Sequence, residues 1–377
     1  MDNTSGKTNK VLLGILATLM LLFFIQDGFA TTYEPQDSKI DTTYSKSFFV
    51  KLNDKVDIRN RYGSIKLDQW DKDSVSIEVS IQAQGKTEEN TWKIMDRIDV
   101  DFQQSGKQLT IETKLDGKSS TVGGMLKGAG DYSKNVLGKN PMKIDFVVKV
   151  PKYVNLEVTQ KDGVVTISKL KNKTKINLSD AVLEADSFTE ELNLELRSSK
   201  VSINSLGYAF LDAKSTDVDI KEVKKVDINC TSGEITIQKA KEVYIDARSA
   251  KLNLMEVEEV DGEADMTKTF ISKLKTSIDF TNSLGNVQIE EVEKGFEKVN
   301  IISKMADVEI GFNKNAVVNF DVKCKAGKVT LPNPDTGLSK SDINKETHVT
   351  GTLGGEKGKG GDLMINAPSG KVILGYK

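Results

Sequence analysis

Residues 211–254 read LDAKSTDVDIKEVKKVDINCTSGEITIQKAKEVYIDARSAKLNL. Within them, apolar pairs split by one mostly polar residue return at a steady interval: Leu211/Ala213, Val218/Ile220, Ile228/Cys230, Ile235/Ile237, Ile245/Ala247 and Leu252/Leu254. Side chains alternate across a strand, so each pair points to one face and the residue between points to the other. Two such strands joined by a small polar turn make a unit of about 17 to 20 residues. The same unit extends in both directions, from Tyr153 to Asn333, through pairs such as Leu156/Val158, Ile176/Leu178 and Leu194/Leu196 on one side and Ile278/Phe280, Val308/Ile310 and Phe320/Val322 on the other.

No single hairpin of this size buries its apolar face, but stacking each unit on the next does, with equivalent strands pairing in parallel at about 4.8 Å. The expected fold is therefore all-β: a single-stranded parallel β-helix, or β-solenoid, with one coil per unit and one short helix near the N-terminal end. Helical repeats do not fit. The alternation is period two, β-branched residues are frequent, and Ser198-Ser199, Ser215-Thr216 and Thr231-Ser232 interrupt the pattern too often. Residues 260–276 are the poorest copy, because Gly262, Glu263 and Asp265 dilute the apolar positions, and a local irregularity is expected there.

Outside the coils the sequence divides further. Lys7 and Lys10 precede an apolar run, Val11 to Ile25, and Gly28-Phe29-Ala30 supplies small residues for a signal peptidase, so residues 1–30 read as a secretory signal. The run falls short of the roughly 20 residues that span a bilayer, which makes an uncleaved N-terminal anchor the lesser alternative, and after cleavage no stable membrane span is expected. With no Cys beside the cleavage point, a lipid anchor is not expected. Residues 31–46 read as a flexible segment. Residues 47–152 keep β character around a helix at 87–98, whose Thr87 cap, first-turn Glu88 and Glu89, and apolar Trp92, Met95 and Ile98 suit a cap over the end of the stack. Residues 116–140 read as a mobile loop, 153–334 as the regular coils, 335–362 as a polar Gly/Lys-rich loop, and 363–377 as strands closing the C-terminal end.

The run Asn60-Arg61-Tyr62-Gly63-Ser64-Ile65, then Trp70-Asp71, a strand over 75–81, a short helix, Val148-Lys149-Val150-Pro151 leading into repeats, and a final Ser369-Gly370-Lys371-Val372-Ile373 together resemble the putative adhesin family of bacterial envelope proteins. The resemblance spans the mature chain. It implies a β-solenoid in the cell envelope, with Tyr62, Gly63, Trp70 and Pro151 as structural motif positions, and it supplies no catalytic residues.

The chemistry visible in the residues agrees. His348 is the only histidine, no Gly-x-Ser-x-Gly elbow appears, and Gly123–Gly130 and Gly354–Gly361 lack the order of a phosphate-binding loop. No cofactor is implied. With 53 basic against 55 acidic residues the chain has no electrostatic footprint for nucleic acid. Cys230 and Cys324 fall about five coils apart, roughly 24 Å at about 4.8 Å per coil, far beyond the reach of about 7 Å between disulfide-linked α-carbons. Both are expected to be unpaired and buried.

One constellation stands out. The outward residue between the apolar pairs of the first strand is Glu157, Asn177, Glu195, Asp212, Asn229, Asp246, Asp279 and Asp321 in successive readable coils, with Arg197, Lys214, Arg248 and Lys323 two residues on. The simplest expectation is a charge-balanced wet surface. Glu195, Asp212, Asp246 and Asp279 are also the candidate carboxylates for divalent cations, and the face suits an envelope polysaccharide or another surface protein. The leading reading is thus a non-enzymatic exported β-solenoid, structural or adhesive. A carbohydrate-active β-helix enzyme is the alternative, which requires acids, a base and sugar-stacking aromatics in one groove; an accessory role in envelope signalling is a third.

Overall fold

The structure is a computed structural model that describes residues 37–119, 141–325, 328–332, 338–343, 345–356 and 358–377. The expected signal peptide, residues 31–36 of the expected flexible segment, and residues 120–140 of the expected loop lie outside the described residues. What is described is all-β with one helix: a large sheet that does not close into a barrel.

Before the helix come β1 (Ser38–Phe49), β2 (Lys55–Arg61), β3 (Ser64–Trp70) and β4 (Ser74–Gly85), and after α1 (Glu88–Met95) come β5 (Ile98–Ser105), β6 (Gln108–Leu115), β7 (Lys118–Ser119) and β8 (Met142–Pro151). The repeats begin with β9 (Asn155–Lys161), β10 (Val164–Leu170) and β11 (Thr174–Ser179). They continue without a break in pairing through the long strands β12 (Val182–Arg197), β13 (Lys200–Asp265), β14 (Thr267–Val292) and β15 (Lys298–Phe312). The last elements are β16 (Val318–Lys325), β17 (Val329–Thr330), β18 (Ser339–Ile343), β19 (Glu346–Leu353), β20 (Gly361–Ala367) and β21 (Val372–Tyr376).

Pairing runs in two series. In the first, β6, β2, β9, β11 and the second half of β12 follow one another in parallel. In the second, β8, β3, β10 and the first half of β12 do the same. Each of β12 to β15 serves both series, because the chain turns a corner and keeps pairing with the repeat before it. The inward residues of both series, from Val50 to Leu374, form one continuous apolar cluster. Burying one Ile or Leu in it contributes about 1.5–3 kcal/mol.

The corners explain the Ser-Ser and Ser-Thr interruptions. Tyr62, Asp162, Asp180, Ser198, Ser215, Ser232, Ser249 and Met266 all take a left-handed backbone, with φ between 47° and 66°, at the turn from the first series to the second. Asp tolerates that region better than most residues. The following position is small in every repeat: Gly63, Gly163, Ala181, Ser199, Thr216, Gly233, Ala250 and Thr267. A Cβ at Gly63 would lie 2.0 Å from the Ile144 carbonyl oxygen, so no larger residue fits that motif position. Where the residue is Ser or Thr, its hydroxyl takes over a neighbour's backbone. Thr216 Oγ1 accepts from the Ser199 N–H at 3.3 Å and donates to the Lys214 carbonyl at 3.0 Å; Thr267 does the same for Ala250 and Asp265.

The other motif positions also sit at corners. Trp70 Nε1 donates to the Ser74 carbonyl at 2.7 Å, and the Pro151 carbonyl accepts from Asn172 Nδ2 at 2.9 Å. Pro151 pairs with Trp70 in register.

Several expectations need correction. Residues 38–46 are not a flexible segment but most of β1, which pairs antiparallel with β4 and packs Tyr44 and Phe48 on Phe102. The strand is mostly polar, so its own sequence gives little sign of it. Helix α1 is shorter than 87–98. Thr87 does cap it, accepting from the Asn90 N–H at 3.2 Å, but Ile98 opens β5 and Trp92 is 49% exposed. Met95 and Ile98 do pack, half-buried, against the core together with Ile94, and the fully buried helix residue is Thr91, whose hydroxyl donates to the Ser38 and Thr87 carbonyls. Nor is 335–362 only a loop, since β18 and β19 lie there and Val349 and Leu353 enter the core.

The C-terminal strands do not close the end of the stack. β20 pairs in parallel with β15 on one side and β16 on the other, and β21 lies likewise between β15 and β17. The last repeat in sequence is therefore inserted one place before the end in space, and β19 then lies antiparallel on β16. Cys230 and Cys324 are both free and buried. They belong to one inward column, through Ala247, Ala264, Asn282, Ser303 and Ala367. The inserted repeat makes their separation six steps of about 4.8 Å, about 29 Å, rather than five. Burial raises both thiols, Cys230 to about 11.

Candidate functional site

The outward side of the first series carries the candidate acids, and its register changes their grouping. Each of these strands has three inward positions, not two: Leu192/Leu194/Leu196, Ala209/Leu211/Ala213, Val226/Ile228/Cys230 and Val243/Ile245/Ala247 are all buried. Two outward residues therefore lie between them, and two columns run along the face. Side-chain contacts at 17-residue steps fix the register inside β13, among them Lys251 to Glu234 and Asn253 to Thr236.

Glu195 pairs with Asp212, and Asn229 and Asp246 continue that column in 17-residue steps. Asp279 does not belong to it. Asp279 pairs with Asp261, which places it in the neighbouring column with Asn193, Phe210, Asp227 and Tyr244. Glu157 is likewise displaced, pairing with Lys175 while Asn177 faces Thr159. Asp321 pairs with Met364 and so also lies in the Asp279 column, by way of Asn300. The cause is the third inward position, which is filled by Gln160, Asn282 and Cys324 in the strands whose apolar pairs are displaced. Gln160 is wholly buried there, donating to the Gly63 carbonyl at 3.2 Å.

The expected neutralising pairs are also rearranged. Arg248 reaches Asp265, at the equivalent position of the next repeat, at 3.7 Å rather than Asp246. Lys175 holds Glu195 at 2.6 Å, Lys298 holds Asp279 at 2.6 Å, and Lys55 holds Glu157 at 2.5 Å. Among the described residues neither Asp212 nor Asp246 has an ion-pair partner. Two steps separate them, about 9.6 Å between α-carbons. Among the described residues no group of three or more His, Cys, Asp or Glu is arranged to hold a metal ion. His348 stands on β19 with Nε2 2.8 Å from Asp321 Oδ1.

The outward columns read from the sequence as almost free of aromatics, Tyr244 excepted, and Phe210 is what that reading missed. Phe210 and Tyr244 point outward, each 42% exposed, in the column beside Asp212 and Asp246. Tyr208 lies edge-on to Phe210 with ring centres 5.0 Å apart, and its hydroxyl donates to Asp227 Oδ2 at 2.8 Å. Burial and that carboxylate push the Tyr208 phenol up to about 12. Lys225 Nζ stands 4.5 Å from the centre of the Tyr244 ring and 3.1 Å from Glu242. These rings and acids border a shallow groove of about 600 Å³ lined by Asn193, Glu195, Phe210, Asp227, Tyr244 and Asp246 among others. The signal was present in the sequence. In Ala209-Phe210-Leu211-Asp212-Ala213 and Val243-Tyr244-Ile245-Asp246-Ala247, strict alternation leaves an aromatic on the wet side.

No family model matches the chain, and no curated protein does. Among solved structures, a putative adhesin from Parabacteroides distasonis is 14% identical with a TM-score of 0.39, covering 71% of this chain and 97% of its own. A putative cell adhesion protein from Clostridium sporogenes is 11% identical with a TM-score of 0.19, covering 90% and 100%. A putative lipid binding protein from Parabacteroides distasonis is 13% identical with a TM-score of 0.35, covering 71% and 96%. These likenesses are too distant to carry residue roles. No helix among the described residues is long and apolar enough to cross a membrane.

Proposed function

We propose that this chain is an exported β-solenoid of the putative adhesin kind, acting in the bacterial envelope by binding and not by catalysis, with the first-series face as its working surface. The observation that carries the reading is the repeated outward set on that face: Phe210 with Asp212, and Tyr244 with Asp246, two repeats apart on a rigid parallel ladder. A stack of this kind offers an extended surface on which contacts recur at fixed spacing, which suits a polymer or a large partner better than a small metabolite.

The enzymatic alternative gains something from the groove, because acids and aromatics do meet there. It lacks the environment the chemistry requires. A glycosidase's acid needs burial to stay protonated near neutral pH, and the side chain of Glu195 is half exposed, with Asp212 and Asp246 open to solvent. Two measurements test the proposal on the full-length protein: saturable binding to purified bacterial envelopes, and release of reducing or unsaturated sugar ends from envelope polysaccharide. Binding without release is the expected result. Turnover, or no binding above a protein of equal size and charge, would reverse it. Mass spectrometry of the protein recovered from its native host tests export, with a mature N-terminus near Thr31 expected.

A further inference from the structure

We propose that the groove over Phe210, Asp227 and Tyr244 seats a neutral, hydroxyl-rich glycan laid along the stacking direction, with one sugar ring on each aromatic. The inference rests on the binding reading above and narrows it to one groove and one ligand class.

The spacing comes first. Phe210 and Tyr244 lie in one column with Asp227 between them, so their α-carbons are two steps, about 9.6 Å, apart. Two units of an extended β-linked sugar chain cover a similar length, so alternate rings of the chain can meet alternate repeats of the protein. The polar groups come second. The neighbouring column offers Asp212, Asn229 and Asp246 at the same three heights, and Asn193 lies at the end of the groove. Carboxylates accept and amides both donate and accept, which is the complement of a polyhydroxylated edge. Each aromatic thus has an acceptor two residues away on its own strand, and the aromatic-acid unit occurs twice, two repeats apart.

Charge decides the ligand class. Of the groove's acids, Glu195 is held by a base and Asp227 by the Tyr208 hydroxyl, while Asp212 and Asp246 have no ion-pair partner among the described residues. Lys175 neutralises Glu195, Lys225 covers the Tyr244 ring, and Arg197, Lys214 and Arg248 border the Asp212 column on its other side. A basic peptide would have to displace Lys175 from Glu195 and Lys225 from Tyr244, and would meet Arg197, Lys214 and Arg248 at the groove's edge. An acidic polysaccharide would meet Asp212 and Asp246, which have no ion-pair partner among the described residues. A neutral chain is repelled by neither set of charges, and its sugar ring has only to take the place of Lys225 over Tyr244. Its apolar sugar faces cover the exposed parts of the Phe210 and Tyr244 rings.

The test is calorimetric titration of the full-length protein with cellohexaose, N-acetylchitohexaose, polygalacturonate and hexalysine at near-physiological salt. Saturable binding to a neutral hexasaccharide is expected, with none to the anionic polymer or to hexalysine. Phe210→Ala and Tyr244→Ala should each weaken it about tenfold, the loss of one stacked ring. Phe210→Trp should restore it, and Glu184→Gln, on the outward side of the second series, should leave it unchanged. Both alanine variants remove exposed side chains, and an unchanged unfolding midpoint confirms that they fold. The proposal is overturned by absence of neutral-sugar binding, by binding indifferent to both alanine variants, or by hexalysine binding that Asp212→Asn with Asp246→Asn abolishes. If envelope binding persists while these titrations fail, the adhesive reading stands and only the glycan groove is lost.

Discussion

The middle of the stack and its C-terminal end are built from the same inward residues but by different rules of neighbourhood. Between Leu192 and Ala264 each strand lies beside the one that precedes it by about 17 residues, so proximity in sequence is proximity in space. At the C-terminal end β20 pairs with β15, about 64 residues earlier, and separates it from β16, which is nearer in sequence. The middle is a one-dimensional array whose stability is close to a sum over neighbours. The end depends on a single long-range insertion. The N-terminal end resembles it: β2 pairs with β9 100 residues later, and antiparallel β5, β4 and β1 finish the stack beyond β6 and β8. Antiparallel strands at both ends interrupt the parallel template that another chain would otherwise extend.

Three changes separate the two regions. Deleting residues 361–377 should have the largest effect, since it removes Leu363, Ile365, Ala367, Val372 and Leu374 from the core, burial on the order of 10 kcal/mol in all. Hydrogen exchange should then show residues 298–353 losing protection while 155–265 stay protected. Uniform loss across the chain would mean that the array is not modular and would break the comparison.

Ile237→Asp, in the middle, places an unpaired carboxylate at a wholly buried position at a cost of several kcal/mol. Gln238→Asp, one residue on and exposed, should change the melting temperature little. Equal melting temperatures for the two would remove the inward–outward register assigned to β13.

The smallest effect belongs to the corner. Thr216→Ala deletes the hydroxyl that accepts from the Ser199 N–H and donates to the Lys214 carbonyl, leaving the Ser199 N–H without that acceptor while the Lys214 carbonyl keeps the Ser198 N–H. A loss of about 1–3 kcal/mol is expected from chemical denaturation. Thr216→Ser should recover most of it. No recovery would assign the effect to the lost methyl packing and not to the hydrogen bonds.

The legible part of this protein was the part written locally. Alternation in residues 211–254 is enough to say which side of each strand is dry, because a strand's period of two admits no other arrangement over so many repeats. The free, buried state of Cys230 and Cys324 followed from the same count, although the inserted repeat altered the number of steps. The site was harder to read. Taking only apolar pairs hid the third inward position, so Asp279 and Glu157 were grouped with a column they do not share, and Phe210 passed unnoticed beside Leu211. Polar residues that are buried because the fold satisfies them, such as Asn60, which donates to the Ile144 carbonyl and accepts from the Thr113 hydroxyl, carry no mark in the sequence.

The sequence by itself determined that the chain is all-β, that its repeats have one dry face, and where their polar corners fall, since each depends on residues within one unit or its neighbours. Only the tertiary structure decided which strands end the stack, where the C-terminal repeat enters, and which outward residues stand side by side. Those depend on pairings across up to 100 residues, whose register is set by core packing and corner hydrogen bonds in distant strands, and no local pattern records them.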